Sequence, residues 1–146
     1  MKKSKKLLAT LIATMTAVSQ IVPTIKVQAA TDSIRLATFN IAANKKPDVV
    51  KLNELLKNNQ VNVVGLQEVD VNTTRNPYDM LEKFTEQGNY EYSYFQKAID
   101  MKDGVGEYGI GLLSNLELSN STGGSLNSEG IKEARAWQKS DIEFNG

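Results

Sequence analysis

The pattern that most constrains the fold is a strand, a helix and a second strand within about 35 residues. Residues 34–39 (IRLATF) have the composition of a mostly buried strand that ends at Asn40. Residues 48–56 have apolar side chains at helical spacing, and residues 61–66 form a short Val-rich strand that closes on Glu68. This length is typical of a parallel crossover, so we expect Asn40 and Glu68 to end neighbouring parallel strands.

The rest of the chain continues the alternation of strands and helices. Residues 78–84 predict a helix, and residues 90–96 and 108–114 predict strands. Residues 119–130 are rich in Ser, Asn and Gly and predict a surface loop, followed by a strand over residues 134–144. The sequence therefore predicts a mixed α/β fold.

The chain ends on Asn145-Gly146, the strongest two-residue signal for a hairpin turn. A hairpin turn requires a strand after it, and the sequence supplies none. We therefore expect the chain to be cut short within a sheet.

The N-terminus has the pattern of an export signal. Residues 1–6 carry four lysines and no acid, and residues 7–22 carry no charge. A membrane anchor is the alternative, but a spanning helix needs roughly 20 apolar residues, and polar side chains dilute this run. Cleavage after Ala29 would leave a signal peptide of residues 1–29 and a secreted, extracellular domain of residues 30–146.

Charge and residue usage exclude several classes of function. The whole chain has 17 basic and 17 acidic residues, and the leader removes five lysines and no acids, which leaves a net charge of −5. This charge argues against a basic surface for sequence-independent nucleic-acid binding. The chain has no Cys and no His, which excludes disulfides, His-based zinc sites and His-containing triads formed by these residues alone.

Asn40 and Glu68 are the first candidate site residues. Ligands gather at the carboxyl ends of parallel strands, and carboxylate and amide oxygens suit a hard cation such as Mg²⁺. Alternatively, Asn40 caps a turn and Glu68 is an exposed strand end. The spacing alone leaves both interpretations open.

Several motifs occur in order along residues 34–144. They are LATFNI (36–41), VGLQEVD (64–70), the segment from Asn72 to Arg75 with Asp79, GEYGIGLLS (106–114) and EARA (133–136). Together they resemble the endonuclease/exonuclease/phosphatase superfamily, which includes DNase I-like nucleases, bacterial sphingomyelinases and inositol phosphatases.

The resemblance implies a DNase I-like, four-layered α/β/β/α sandwich and a role for each matching residue. Glu68 would bind Mg²⁺ or Mn²⁺, and Asn40 would help to orient metal-bound water or phosphate. Arg135 would face the substrate phosphate. Glu107 would orient a catalytic histidine, although a solvated acid beside a glycine turn is an equal alternative. For Arg75 the resemblance gives no clear role, and a surface residue is the simpler interpretation.

The resemblance also implies catalytic histidines, an Asp-x-Asn pair and an Asp-His pair that this chain lacks. We therefore expect an N-terminal portion of a phosphoester hydrolase that is inactive without the other half of the domain, and no obligate protein partner. The substrate would be a nucleic acid, a phospholipid head group or a sugar phosphate. The alternatives are a secreted binding protein that kept the fold without the chemistry, and an α/β domain with no metal.

Overall fold

The computed structural model describes residues 33–126, 130 and 134–144. This part of the chain forms six strands, two α-helices and one short 3-10 helix. In chain order they are β1 (Leu36–Asn40), the 3-10 helix (Ala43–Lys45), α1 (Val49–Asn58), β2 (Val63–Val71), α2 (Met80–Thr85), β3 (Tyr92–Asp100), β4 (Glu107–Ser114), β5 (Leu118–Leu126) and β6 (Arg135–Ile142).

The strands form two sheets. In the larger sheet, in the order β1-β2-β4-β3, β1 runs parallel to β2, with Leu36 opposite Val63 and Asn40 opposite Gln67. The other pairings in this sheet are antiparallel. Strands β5 and β6 form a separate antiparallel pair. The predicted parallel crossover from β1 through α1 to β2 is confirmed.

Both helices begin at an aspartate that caps them. The Asp48 carboxylate accepts a hydrogen bond from the Lys51 N–H at 3.1 Å, and the Asp79 carboxylate accepts from Leu81 and Glu82 at 2.8 and 3.2 Å. These bonds satisfy N–H groups that a first helical turn leaves without a partner. The motif residue Asp79 therefore has a structural role at the start of α2.

Other elements pack on both faces of the larger sheet, and β5 and β6 pack against its strands β3 and β4. On one face Gly111 lies against the side chain of Leu81 in α2, so the core lies between the sheet and the helices. On the other face the Gln96 side chain of β3 lies against Gly123 of β5. The described residues thus form an α layer and two β layers, and the mixed α/β prediction is confirmed.

The prediction of a loop over residues 119–130 is wrong, because most of that stretch belongs to β5. Its glycines have a packing role: a side chain at Gly123 would meet Gln96 and the backbone of Trp137, and one at Gly124 would meet the Trp137 indole. A glycine in a strand often marks such a close approach. The polar composition reflects strand residues that are largely exposed to solvent.

The predicted end of the second strand at Glu68 is also wrong. Strand β2 continues to Val71, because β4 pairs with it beyond Glu68, with Tyr108 opposite Asp70. The other predicted elements are found, with boundaries that differ by up to four residues.

Three predictions concern residues outside the described ranges: the signal peptide of residues 1–29, the Glu133 position of the EARA motif and the Asn145-Gly146 turn. Neither of the two described α-helices is long and apolar enough to cross a membrane.

Candidate functional site

Glu68 reaches the candidate site through a β-bulge. The pairing of β2 with β4 shifts register between Gln67 and Val69, and Glu68 has a φ of 58°. In a regular strand, residue 68 would share a face with Leu66. Here Leu66 and Val69 both lie in the core, so the bulge takes Glu68 off the core-facing row. The strained backbone is thus what turns this carboxylate away from the core.

Asn40 and Glu68 are in direct contact. The Asn40 Nδ2 donates to Glu68 Oε1 at 2.9 Å, across the parallel pair β1 and β2. The orientation of the amide is fixed, since its oxygen accepts a hydrogen bond from the Ala42 N–H at 2.9 Å. Ala42 has a φ of 50°, at the start of the 3-10 helix. The structure therefore brings the two predicted residues together, with the amide nitrogen facing the carboxylate.

Glu68 forms part of the wall of an open cleft with a volume of about 480 Å³. The cleft lies between the β2 bulge, the 72–79 segment and the hairpin that joins β3 to β4. Its charged residues are two acids and two bases, and the others are polar or apolar. The lining residues are Asn44, Glu68, Arg75, Ile99, Met101, Lys102, Asp103 and Tyr108.

Arg75 is held in this cleft by a buried carboxylate. Its Nε and Nη2 donate to the two oxygens of Asp70 at 2.7 and 2.8 Å, and Asp70 is fully buried. Burial alone would raise the pKa of Asp70, but hydrogen bonds from Arg75, Asn76 and Thr73 outweigh it and hold the pKa below its ordinary value. Asp70 is therefore a carboxylate that anchors Arg75.

The hairpin tip is fastened to the 72–79 segment. Thr74 Oγ1 donates to Asp103 Oδ2 at 2.8 Å, and the Val105 N–H donates to Asp103 Oδ1 at 3.1 Å. These bonds, from Thr74 first, lower the pKa of Asp103. Gly106, with a φ of 78°, lies so close to the Asn72 backbone that no side chain would fit. The 72–79 segment and the β3–β4 hairpin are thus joined along one side of the cleft.

Glu107 and Arg135 are not among the residues that line the cleft. Glu107 begins β4, and its carboxylate lies 3.2 Å from Lys97 Nζ. Arg135 begins β6 in the two-stranded sheet, opposite Leu126. Their proposed catalytic roles stay predictions.

Within the described residues, no cluster of three or more Asp, Glu, His or Cys side chains could enclose a metal ion. Glu68 is therefore not part of such a cluster: the Asn40 amide lies beside it, and Asp103 is the other acid of the cleft. A cation here would keep most of its ligands from water or from a bound ligand.

The sequence model of the Endonuclease/Exonuclease/phosphatase family matches residues 37–145. The chain belongs to this family. The match begins within β1 and includes the bulge, the 72–79 segment and both sheets. The recognition of the superfamily from its ordered motifs is confirmed.

A solved structure has the same fold. It is an endonuclease/exonuclease/phosphatase family protein from Leptotrichia buccalis C-1013-b, with 16% sequence identity and a TM-score of 0.57. The match covers 78% of this chain and 51% of that chain, so the chain spans about half the length of its structural neighbour. No curated protein matches the sequence closely enough to count as a relative.

The place of Arg75 in the cleft was not predictable from the local pattern, which shows no partner for an arginine in a polar segment. The usable clue was Asp70, an acid that directly follows the apolar Val69 in a strand. Such a residue needs a cation or several hydrogen-bond donors if it is buried. The donors come from Thr73, Arg75 and Asn76, all within six residues of Asp70.

Proposed function

We propose that the protein is a divalent-metal-dependent phosphoester hydrolase in which Glu68 binds the metal. The observation that carries this proposal is the β-bulge that turns Glu68 out of the core and beside Asn40, at the edge of an open cleft. Membership of the Endonuclease/Exonuclease/phosphatase family supports the reaction class. A strained backbone that serves a single polar side chain is common at functional sites.

The donor set suits a hydrated Mg²⁺ or Mn²⁺. Mg²⁺ binds through one or two carboxylates and keeps several waters or substrate oxygens as further ligands. Among the described residues, Glu68 Oε2 has no protein hydrogen-bond donor, since the contact from Asn40 is to Oε1. The Asn40 oxygen accepts one hydrogen bond and has a second acceptor site. When bound, the metal would supply charge neutralisation for phosphate oxygens and a bound water of lowered pKa.

Each of the four candidate site residues then has a proposed role. Glu68 holds the cation, and Asn40 keeps the carboxylate oriented through its N–H. Arg135 and Glu107 are retained as candidates for contact with the phosphate and with a catalytic histidine, respectively. That histidine would have to come from outside this chain, which has none. The purified chain alone is therefore expected to show no phosphodiesterase turnover.

The proposed substrate is a phosphoester, and the cleft favours a small one. A volume of about 480 Å³ lies within the usual range for sites that hold small organic molecules. The charged lining residues are balanced, since Arg75 and Lys102 face two acids, whereas a nucleic-acid groove is strongly basic. A phospholipid head group or a sugar phosphate fits this balance better than a polynucleotide does.

Metal binding by the purified chain tests the proposal. Calorimetric titration with Mn²⁺ and Mg²⁺ should show binding that Glu68→Gln weakens at least about tenfold, because the amide removes the anionic ligand. Glu54→Gln is the matched control, since Glu54 is an exposed acid on α1. Equal binding by the parent and Glu68→Gln would contradict the proposal and would favour a binding protein that kept only the fold.

Export is part of the proposal. The lysines of residues 1–6 and the uncharged run of residues 7–22 support it, with cleavage after Ala29. Sequencing the N-terminus of the protein recovered from culture medium would test this. A chain found only inside cells, with residues 1–29 still attached, would contradict it.

A further inference from the structure

The unassigned feature of the cleft is Arg75, a cation that is built into its wall. Two of the five guanidinium N–H groups bond to Asp70, one to each oxygen. A paired contact of this kind fixes the plane of the guanidinium as well as its position. The side chain is 33% exposed while Asp70 is 0% exposed, so one side of the group faces protein and another faces the cleft.

The carboxylate that holds Arg75 has further hydrogen-bond donors of its own. Asp70 also accepts hydrogen bonds from Thr73 Oγ1 at 2.8 Å and from Asn76 Nδ2 at 2.7 Å. Asn76 Nδ2 donates in addition to the Ala43 carbonyl at 2.9 Å, which ties the network to the 3-10 helix after Asn40. The two ends of the site, Asn40 with Glu68 and Arg75 with Asp70, therefore share one support.

Arg75 keeps unused binding capacity. Three of its N–H groups have no hydrogen-bond acceptor among the described residues. The guanidinium carbon lies 5.6 Å from the centre of the Tyr108 ring, which supports it from one side. A surface ion pair would not need a buried, fully bonded carboxylate as its anchor. This arrangement is instead suited to present a fixed set of donors to a ligand.

The residues around Arg75 indicate which kind of ligand it would bind. The pKa of Arg75 is raised chiefly by its hydrogen bonds to Asp70, and the charges of Asp70, Tyr108 and Glu68 add to this effect. Glu68 lines the same cleft as Arg75. Fixed guanidinium forks match the geometry of phosphate oxygens. Ile99, Met101 and Tyr108 offer apolar surface in the same cleft.

We propose that Arg75 is a phosphate-binding residue, held by Asp70 as a positioning residue, and that the alcohol part of the phosphoester lies against Ile99, Met101 and Tyr108. This inference deepens the proposed function and rests on it for the identity of the reaction. The binding of phosphate by Arg75 does not require the metal, so the two can be tested separately.

The test is a titration of the full chain with inorganic phosphate and with phenyl phosphate, in the presence of EDTA. Nitrogen-15 NMR follows the Arg75 Nε–H, and calorimetry gives the dissociation constants. We expect the Arg75 signal to shift on addition of phosphate, and phenyl phosphate to bind several-fold more tightly because of the apolar surface. Arg75→Gln should raise the dissociation constants of both ligands about tenfold or more.

Matched variants separate binding from support. Arg35→Gln removes another arginine, one that bonds to the Asn59 carbonyl, and should leave the phosphate affinity within twofold of the parent. Arg75→Lys keeps the charge near Asp70 but loses the fork, so it should remain folded and bind phosphate several-fold more weakly. Arg75→Lys is the variant to measure if Arg75→Gln does not fold.

The outcomes differ from those for the metal. Glu68→Gln should bind metal-free phosphate as tightly as the parent or more tightly, since it removes a negative charge from the cleft. Absence of measurable phosphate binding by the parent would overturn the inference. So would equal affinities for the parent and Arg75→Lys, because Arg75 would then serve only to support the 72–79 segment. Neither result would contradict the proposal that Glu68 binds a metal ion.

Discussion

Asn40 donates its side-chain N–H to Glu68 at 2.9 Å while its oxygen accepts the Ala42 N–H, so the amide links the end of β1 to the β2 bulge. Groups that orient a metal-binding carboxylate typically contribute 10- to 100-fold to metal affinity. We expect Asn40→Ala to weaken Mn²⁺ binding by about this factor, as measured by calorimetry.

The control for this prediction is Asn120→Ala. Asn120 Nδ2 donates to Asp141 Oδ2 at 2.9 Å, an equivalent amide–carboxylate bond on the two-stranded sheet. Its removal should leave Mn²⁺ affinity unchanged. If both variants bind Mn²⁺ like the parent, Asn40 does not orient a metal ligand.

The φ of 58° at Glu68 predicts a difference in stability between Glu68→Gly and Glu68→Ala, two variants that both lack the carboxylate. A non-glycine residue in the left-handed region costs roughly 1–2 kcal/mol, and glycine avoids this cost. Glu68→Gly should therefore be more stable than Glu68→Ala by about 1 kcal/mol in denaturant unfolding. Neither variant should bind metal. A Glu68→Ala protein as stable as Glu68→Gly would show that the bulge is not strained.

The relation between Asn40 and Glu68 was largely predictable from the sequence, and the bulge was not. Apolar spacing and length predicted the parallel pair of β1 and β2, which places the two residues at neighbouring strands. Whether Glu68 ends a strand or interrupts one depends on pairing with β4, about 40 residues later in the chain. Local pattern does not contain that information.

The Arg75–Asp70 anchor and β5 were missed for related reasons. The partners of Arg75 lie close in sequence, but the full burial of Asp70 depends on tertiary packing, which the local pattern does not show. Strand β5 has few apolar residues, and its glycines are explained only by Gln96 and Trp137 on other strands. In both cases tertiary contacts override what local propensity indicates.

Substitution by alanine should lower stability by different amounts at two glycines of the β3–β4 hairpin. Gly104 and Gly106 have similar φ values, 73° and 78°, so an alanine at either position pays the same conformational cost. A Cβ at Gly104 would meet open space, whereas one at Gly106 would overlap the Asn72 and Val71 backbone. We expect Gly106→Ala to lower the free energy of unfolding by about 1–3 kcal/mol more than Gly104→Ala does.

Denaturant unfolding of the two variants measures this difference directly. Because Asn72 begins the segment that carries Arg75, Gly106→Ala should also weaken the binding of phosphate. Equal stabilities for the two alanine variants would mean that the hairpin can move away from Asn72 at little cost.

Tyr90 predicts how stability changes at alkaline pH. Its side chain is almost completely buried, its hydroxyl donates to the Val61 carbonyl at 3.2 Å, and burial raises the pKa from 10.0 to about 12. Between these two values the folded state keeps a phenolic proton that the unfolded state has lost. The Tyr90 contribution to stability is therefore complete below about pH 10 and declines as pH rises towards 12, by a total of about 2–3 kcal/mol.

Tyr90→Phe keeps the buried ring and removes the titrating group. Denaturant unfolding from pH 8 to pH 11.5 should show a smaller loss of stability for Tyr90→Phe than for the parent, because the variant has no phenol to ionise. At pH 8 the Tyr90 variant should be less stable by about 1 kcal/mol, because the Val61 carbonyl loses its side-chain donor. Identical alkaline profiles for Tyr90→Phe and the parent would mean that ionisation of this phenol does not oppose folding.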